Sequence, residues 1–547
     1  MVELDEETAI IAKGALWQNA FSILVKLFSF VYTIIVARFV AQEEVGIFYF
    51  ALGIVGTIGI FADLGLASAI TRYVPYYLGK KDNAAAHRTI SVAVFLGIFL
   101  MLAASSVTFF FAQQIAGIFG NPKIAAVLQL FAFHLAIVQV YTITNSLLFA
   151  FKQVRASAIA GGIQAFLKLF FMLVLVFSFE ASASALAIGF MFSYAITALY
   201  LLWELRGHFG WMAKKAHTSM AEYFPLLREF IPFGIMVVGM MAFGTLINYS
   251  DRLMLGFFLH EEANAQIAIY SLATSLALLS TMFSGSITSI FYPIVSGLVG
   301  KNDLQKVNKT SQTALKWLLF SSVPIAAFLA AFSAPMLRVL YGVEYEPGSL
   351  ALSLFAAGIL ISYTTVIQRI VLAGMRLIKI DLMCVGIGAL ANILLNAFLI
   401  PPFGINGAAF ASLLAFCIMS FLNQHYAHKY FGFVFPKSAW KNLLAGIIVF
   451  AALSALSFIS YPYIINIPFS FGDGSLLFGT IDKLAKLAFL LCFFAIGALI
   501  YLSLANILRL FEHEDAAVLR KVLAKLGLPQ NLRSLMERMI FWNKELN

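Results

Sequence analysis

Charge is scarce in this chain. Of its 547 residues only 11% are Asp, Glu, Lys or Arg, against 62% hydrophobic. A soluble domain needs water-facing surface that this composition cannot supply, so that class is excluded. Cysteine is scarcer still. Cys384, Cys417 and Cys492 all fall in apolar runs, which excludes a disulfide framework. The eight histidines are scattered and make no metal-ligand spacing. No cofactor or resident metal is expected. No Walker A is present: GLVGKND (297–303) lacks its spacing and its Ser/Thr. Direct ATP hydrolysis is therefore not expected, and the energy should come from a coupling ion (Na⁺ or H⁺), the membrane potential or a substrate gradient. The longest segment expected outside, about 465–483, holds only Asp473 and Asp482 as acids. A membrane glycosyltransferase needs more, so a transporter is expected rather than an enzyme. The opening MVELDEET is acidic and the first apolar run is long, unlike a cleavable signal peptide.

What is present is apolar runs of membrane-spanning length. They predict an all-α polytopic membrane protein of about fourteen spans: 14–38, 45–78, 88–112, 124–150, 156–179, 183–205, 230–259, 266–299, 313–334, 350–374, 379–400, 405–428, 441–465 and 484–509. Pro75, Pro232, Pro293 and Pro324 are expected kinks or helix ends. With the N-terminus placed in the cytoplasm, 26 Lys and Arg fall on inside segments and 5 outside. A miscount by one helix would reverse this bias downstream. It therefore supports fourteen spans in a cell membrane, with both termini cytoplasmic. The net charge of +10 is then mostly membrane-surface charge, and no nucleic-acid partner is needed. Residues 511–547 read as a short amphipathic helix, lying on the membrane lipids or packed on the protein.

The chain also repeats itself. Residues 47–82 align without a gap on 268–303, an offset of 221, with Tyr49 on Tyr270 and GKKD on GKND. ASALAIGF (183–190) echoes GAAFASLL (407–414) at an offset of 224. Six spans separate the copies, so both enter the membrane in the same direction. The expected domains are an N-terminal lobe 1–210, a C-terminal lobe 211–430, two further spans in 431–510 and the tail 511–547. Two pseudo-symmetric six-helix lobes would face a central cavity.

Five bases lie inside the spans: Lys26, Arg72, Lys168, Arg252 and Arg369; the clear acids there are Asp63 and Asp251. A charge in hydrocarbon costs a few kcal/mol at least, so each should face water or a partner. Helical spacing assigns the faces. Asn19, Ser22, Lys26 and Ser29 form a stripe on span 1. Gly65, Ser68 and Arg72 share a face of span 2, Ser362, Thr365 and Arg369 one of span 10. Thr245, Asn248 and Arg252 share a face of span 7, beside Asp251; Gln164 and Lys168 are one turn apart on span 5. Asp63 and Arg72, nine residues apart, should point to opposite sides of one helix and not pair. Two readings stand side by side. Either these bases line one hydrated cavity, or Arg72, Arg369 and Lys168 snorkel to headgroups while Asp251 neutralises Arg252. Five bases against two acids suit an anionic substrate such as phosphate.

Three passages resemble a known family. DLGLASAITRYVP (63–75) resembles the second-helix signature of polysaccharide-biosynthesis flippases. NYSDRLMLGFFL (248–259), followed by AIYSLA (268–273), resembles their helix 7–8 passage, and NILLNAFLIPPFGINGAAFAS (392–412) their helix 11–12 turn. The chain is thereby identified as a member of the O-antigen and oligosaccharide flippase branch of the MOP (multidrug/oligosaccharidyl-lipid/polysaccharide) superfamily, with a MATE-like fold. The resemblance implies a V-shaped pair of lobes moving a polyprenyl-pyrophosphate-linked oligosaccharide from the cytoplasmic to the outer leaflet. A lipid II-type flippase and a cation-coupled multidrug exporter are the alternatives. It implies pyrophosphate contact by basic cavity residues, at Arg72 and at Asp251–Arg252. Lys26, Lys168 and Arg369 rest on spacing alone. Glycan polymerase or ligase machinery is a possible partner. Two prolines should stop helix 11 in IPPFGINGAA. Asn392 and Asn396, one turn apart, read as polar glue between helices rather than cavity lining.

Overall fold

The computed structural model describes residues 6–212, 223–282, 284–466, 476–510 and 530. The amphipathic tail expected over 511–547 lies outside the described residues but for residue 530, as does 467–475 of the 465–483 segment. Eighteen α-helices run in sequence among the described residues, with no strand. The first eight are α1 (Glu6–Phe39), α2 (Gln42–Asp63), α3 (Leu66–Gly79), α4 (Asn83–Phe110), α5 (Ala112–Ile118), α6 (Ile124–Ala150), α7 (Val154–Ser178) and α8 (Ala183–Met212). Then follow α9 (Tyr223–Leu259), α10 (Ala263–Ala277), α11 (Ser284–Gly300), α12 (Leu304–Ala331), α13 (Ser333–Leu340), α14 (Ser349–Tyr363) and α15 (Val366–Gly374). The last three are α16 (Ile378–Phe431), α17 (Lys437–Asn466) and α18 (Leu476–Ile507).

Twelve helical segments are long and apolar enough to cross a membrane among the described residues. One of these, α16, reverses at Gly404, where φ is 54° and ψ −131°, and so supplies two spans. The 37-residue α9 supplies another, which gives the fourteen read from the sequence. Outward faces are apolar as well: Phe95, Phe110, Phe421 and Phe458 are all exposed, as fits hydrocarbon. The chain is an all-helical, multi-pass membrane protein.

Three spans differ from the single helices expected. Span 2 is α2 and α3, broken at Leu64 (φ 43°) and Gly65 (φ 71°), both left-handed. Span 8 is α10, a 3₁₀ turn over Leu278–Thr281, and α11. Span 10 also breaks, between α14 and α15 at Thr364–Thr365. None of the four prolines ends a helix: Pro75, Pro232, Pro293 and Pro324 lie inside α3, α9, α11 and α12. Nor do Pro401 and Pro402 stop α16; they sit inside it, and the reversal falls at Gly404. A span lined by neighbours can re-satisfy the carbonyl that a proline frees, so proline alone is a poor guide to its breaks.

The repeat reappears in the element boundaries. At an offset of 221, α2 begins opposite α10, α3 ends opposite α11, and α4 matches α12 at both ends. Asp82 and Asp303, opposite each other, cap α4 and α12 by accepting from the backbone N–H three residues on. Left-handed Lys81 stands opposite left-handed Asn302. The 3₁₀ segment Val343–Gly348 then adds three residues. From there the offset is 224: α6 ends opposite α15, left-handed Lys152 stands opposite Arg376, and α7 begins opposite α16.

Contacts divide the chain into two compact units, residues 1–276 with 378–419, and 277–377 with 420–547. In the first, α1 packs on α7, α7 on α8, α6 on α4 and α8, and α2 on α6 and α9. Its core gathers Leu66, Ile70 and Val74 of α3 with Leu147 of α6 and Leu201 of α8. Gly46 lets α2 cross α10: an added Cβ would lie 1.8 Å from the Asn264 carbonyl oxygen. In the second unit, α12 packs on α14 and α17, and α11 on α15.

Candidate functional site

The first unit carries a buried acid that pairs with no base among the described residues. Asp251, on α9, is 2% exposed. Its Oδ1 accepts from Asn392 Nδ2 (3.1 Å) and Asn396 Nδ2 (2.8 Å) on the first arm of α16. Its Oδ2 accepts from Ser412 Oγ (2.7 Å) on the second arm and from the Tyr270 hydroxyl on α10. Four donors thus meet the four lone-pair positions of an ionised carboxylate. Around them, Ser250 Oγ donates to Asn392 Oδ1 (2.5 Å), and Asn396 Nδ2 also approaches Asn392 Oδ1 (3.1 Å). Asn396 Oδ1 is buried with no hydrogen-bond partner. The cluster ties α9, α10 and both arms of α16 together, so Asn392 and Asn396 do act as glue.

Helical geometry explains how α16 contributes twice. Asn392 and Asn396 are one turn apart and point the same way. The reversal at Gly404 brings Ser412 back beside them, and Gly407 permits it, since a Cβ there would lie 2.1 Å from the Leu399 carbonyl oxygen. Tyr270, Ser412 and Ser250 were not singled out from the sequence. Tyr270 had a signal, its alignment on Tyr49; the two serines had none among the many small residues.

Arg252 follows Asp251 in sequence but does not neutralise it. Its guanidinium lies between the rings of Tyr49 and Tyr249, 5.7 Å from each centroid. Its Nε is buried with no hydrogen-bond partner. Cation–π contact leaves the guanidinium's N–H donors unused. α2 is held close here: a Cβ on Gly56 would meet the Tyr249 ring at 2.8 Å.

The remaining sequence candidates disperse. Lys168 of α7 places Nζ 4.5 Å from the Tyr32 ring centroid on α1, while Gln164, one turn earlier, donates to Ser193 of α8 (3.3 Å). Lys26 is half-buried on α1; Asn19 is on the same helix, its side chain outside the described ones. Arg72 is exposed on α3, 5.2 Å from the Tyr73 centroid. Asn248 is exposed and donates to the Gly244 carbonyl of its own helix (2.7 Å). Arg369 is half-buried on α15, in the second unit. The break at Thr364–Thr365 removes Ser362 from its stripe, as the break at Gly65 removes the single-helix argument for Asp63 and Arg72. Asp63 still does not pair with Arg72. It is buried at the end of α2, where its Oδ1 accepts from the Ala67 N–H of α3 (3.3 Å).

Comparison with known proteins bears on this arrangement. Residues 11–299 match the family described as polysaccharide biosynthesis protein, and residues 237–398 match the MatE family. An uncharacterized membrane protein of Methanocaldococcus jannaschii is 24% identical, over 76% of this chain and 85% of its own. A probable low-salt glycan biosynthesis flippase of Haloferax volcanii is 22% identical, over 74% and 80%. Among solved structures, the lipid II flippase MurJ in an inward closed conformation superposes with a TM-score of 0.65 at 18% identity, covering 89% of this chain and 98% of its own. An inward-facing multidrug resistance MATE transporter of the MOP superfamily gives 0.56 at 14% identity, over 81% and 99%. More than half of the sequence lies within the first of these family models, and the MATE-like fold runs through nearly all of it. The chain belongs to the polysaccharide biosynthesis protein family.

Proposed function

We propose that this protein moves a polyprenyl-pyrophosphate-linked oligosaccharide from the cytoplasmic to the outer leaflet by alternating access, for cell-surface glycan assembly. The observation that carries the reading is Arg252. A guanidinium held between two tyrosine rings, with no acid partner and Nε unsatisfied, is a prepared site for a doubly charged phosphate ester. It stands in the family's seventh-helix passage. Arg72, in the second-helix motif, contributes a further phosphate contact, with Lys26, Lys168 and Arg369 as additional basic positions. The naming of the Haloferax relative as a glycan biosynthesis flippase supports the substrate class. Glycan polymerase or ligase machinery would consume the product in the outer leaflet.

Asp251 takes the coupling role in this proposal, with the cation or proton displacing one of its four donors. Its carboxylate, Ser412 Oγ and the unpartnered Asn396 Oδ1 are hard oxygen donors on three helical segments, suited to Na⁺ or to a proton. The test is transfer of a fluorescent polyprenyl-pyrophosphate oligosaccharide between leaflets of proteoliposomes. Wild type should transfer it; Arg252→Ala and Arg72→Ala, folded and inserted, should each lose at least about tenfold in rate, as loss of a charge-assisted contact implies. Transfer that survives both substitutions would reject the phosphate role. Efflux of a cationic dye without lipid transfer would favour the multidrug alternative.

A further inference from the structure

The break in span 2 is closed on one side by Asp63 of α2 and Gln139 of α6. Asp63 is 7% exposed and Gln139 4%. Asp63 Oδ2 is buried with no hydrogen-bond partner, and so is Gln139 Nε2. Gln139 approaches the carboxyl, but the bond is not closed. Oδ1 takes a long bond from Ala67 N–H, 3.3 Å, and the Gly65 N–H also acts on the carboxyl, which leaves Oδ2 as the unfilled oxygen. Titratable groups stand on the helices packed against α2 and α3: His87 and Arg88 on α4, His134 and Tyr141 on α6, Tyr194 on α8, Tyr249 and Arg252 on α9, and Arg72 on α3 itself. None of them bonds to or pairs with Asp63.

The repeat supplies the comparison. At offset 221 Asp63 stands opposite Ser284, and at offset 224 Gln139 stands opposite Tyr363. These two do bond: the Tyr363 hydroxyl donates to Ser284 Oγ at 2.9 Å, beside the break between α10 and α11. The same two positions thus clasp the same break in both halves. One clasp is closed and neutral. The other contains an acid and is open.

Asp251 shows a buried carboxyl of this chain fully met by donors: four, on both oxygens. Asp63 is buried too, and its Oδ2 has no such partner. We propose that Asp63 and Gln139 form a proton-binding site that clasps the break in span 2. A bound proton removes the buried charge. The carboxyl O–H then donates to the amide oxygen of Gln139, a turn of the amide group away, and α2–α3 is held in its broken geometry against α6. Loss of the proton leaves a buried carboxylate with an unfilled oxygen, which favours opening of the clasp to water. The inference does not depend on the substrate.

Hydrogen–deuterium exchange of the full chain in lipid nanodiscs tests it, with rates corrected for the chemical pH dependence of exchange. In wild type, amides over 64–70 should exchange at least about tenfold more slowly at pH 5.5 than at pH 8. Residues 278–282, at the second break, should show no such change. Asp63→Asn should be slow at both pH values. The double substitution Asp63→Ser with Gln139→Tyr transplants the pair that the chain already uses at its other break, so it should fold, and it should remove the pH dependence. A wild type without pH dependence over 64–70, or a dependence that persists in Asp63→Asn, would overturn the proposal.

Discussion

Tyr270 donates to Asp251 from full burial, and the phenol is one of four donors that replace water around a charge. Hydrogen bonds to charged groups are worth about 1.5–3 kcal/mol each when lost singly. Tyr270→Phe keeps the ring and removes only the donor, so it should destabilise by about that amount. Asp251→Ala strands four donors and should cost more, about 3–5 kcal/mol, because partners without the acid are left buried. Thermal unfolding of purified protein should rank them Asp251→Ala below Tyr270→Phe below wild type. The combination Asp251→Ala with Tyr270→Phe should be less damaging than the sum, since the second change removes an orphan created by the first. Strict additivity would mean that the tyrosine acts elsewhere. At this scale the sequence was informative where a charge interrupts hydrocarbon: Asp251, Arg252 and Asp63 all announce themselves. It was silent on partners. Ser412 and Ser250 look like any small residue in a span, and only the fold of α16 makes Ser412 a ligand of an acid 161 positions away.

Elements here cross by backbone approach, and the glycines mark where. Gly46 on α2 meets the Asn264 carbonyl of α10, and Asn264 is itself bonded to Asn121 Nδ2 (2.7 Å) at the same crossing. Adding a Cβ forces the two helices apart, because neither the helix backbone nor the bonded asparagine can yield. Gly46→Ala should therefore cost at least about 2 kcal/mol, in the range of overpacked cores. Gly79, at the end of α3, has open space around it. Gly79→Ala should be neutral or gain up to about 1 kcal/mol in helix propensity. A comparison of the two melting temperatures separates crossing geometry from glycine flexibility; equal effects would reject the crossing. Breaks were less legible than crossings. Gly404 and Gly65 sit at breaks that glycine permits, but Leu64 and Thr364–Thr365 carry no breaking residue. There the break comes from packing against neighbouring helices, which local sequence does not record. Proline does not mark the helix ends: Pro75 and Pro324 lie within α3 and α12.

For the whole chain, the repeat and the charge bias are independent arguments that must agree. The repeat places α4 opposite α12 and α7 opposite the first arm of α16. Equivalent helices in a parallel repeat point the same way, so equivalent loops lie on the same side. The lysine-rich turns after α3 and after α11 are such a pair: Lys80 and Lys81 in one, Lys301 in the other. The positive-inside bias predicts both on the cytoplasmic side. It predicts the loop before α6 outside; there Lys123 pairs with Glu43 at the start of α2 (2.7 Å), a half-exposed contact that screening leaves weak. Single cysteines placed in a background with Cys384, Cys417 and Cys492 replaced can decide it. A membrane-impermeant maleimide applied to intact cells should label Asn83→Cys and Lys301→Cys only after permeabilisation. It should label Gln113→Cys, near the opposite end of α4, without it. Labelling of one of the first pair but not the other would break the equivalence of the two halves, and with it the parallel repeat. Labelling of both from outside would keep the repeat and invert the topology, and the lipid-linked substrate would then have to enter from the opposite leaflet.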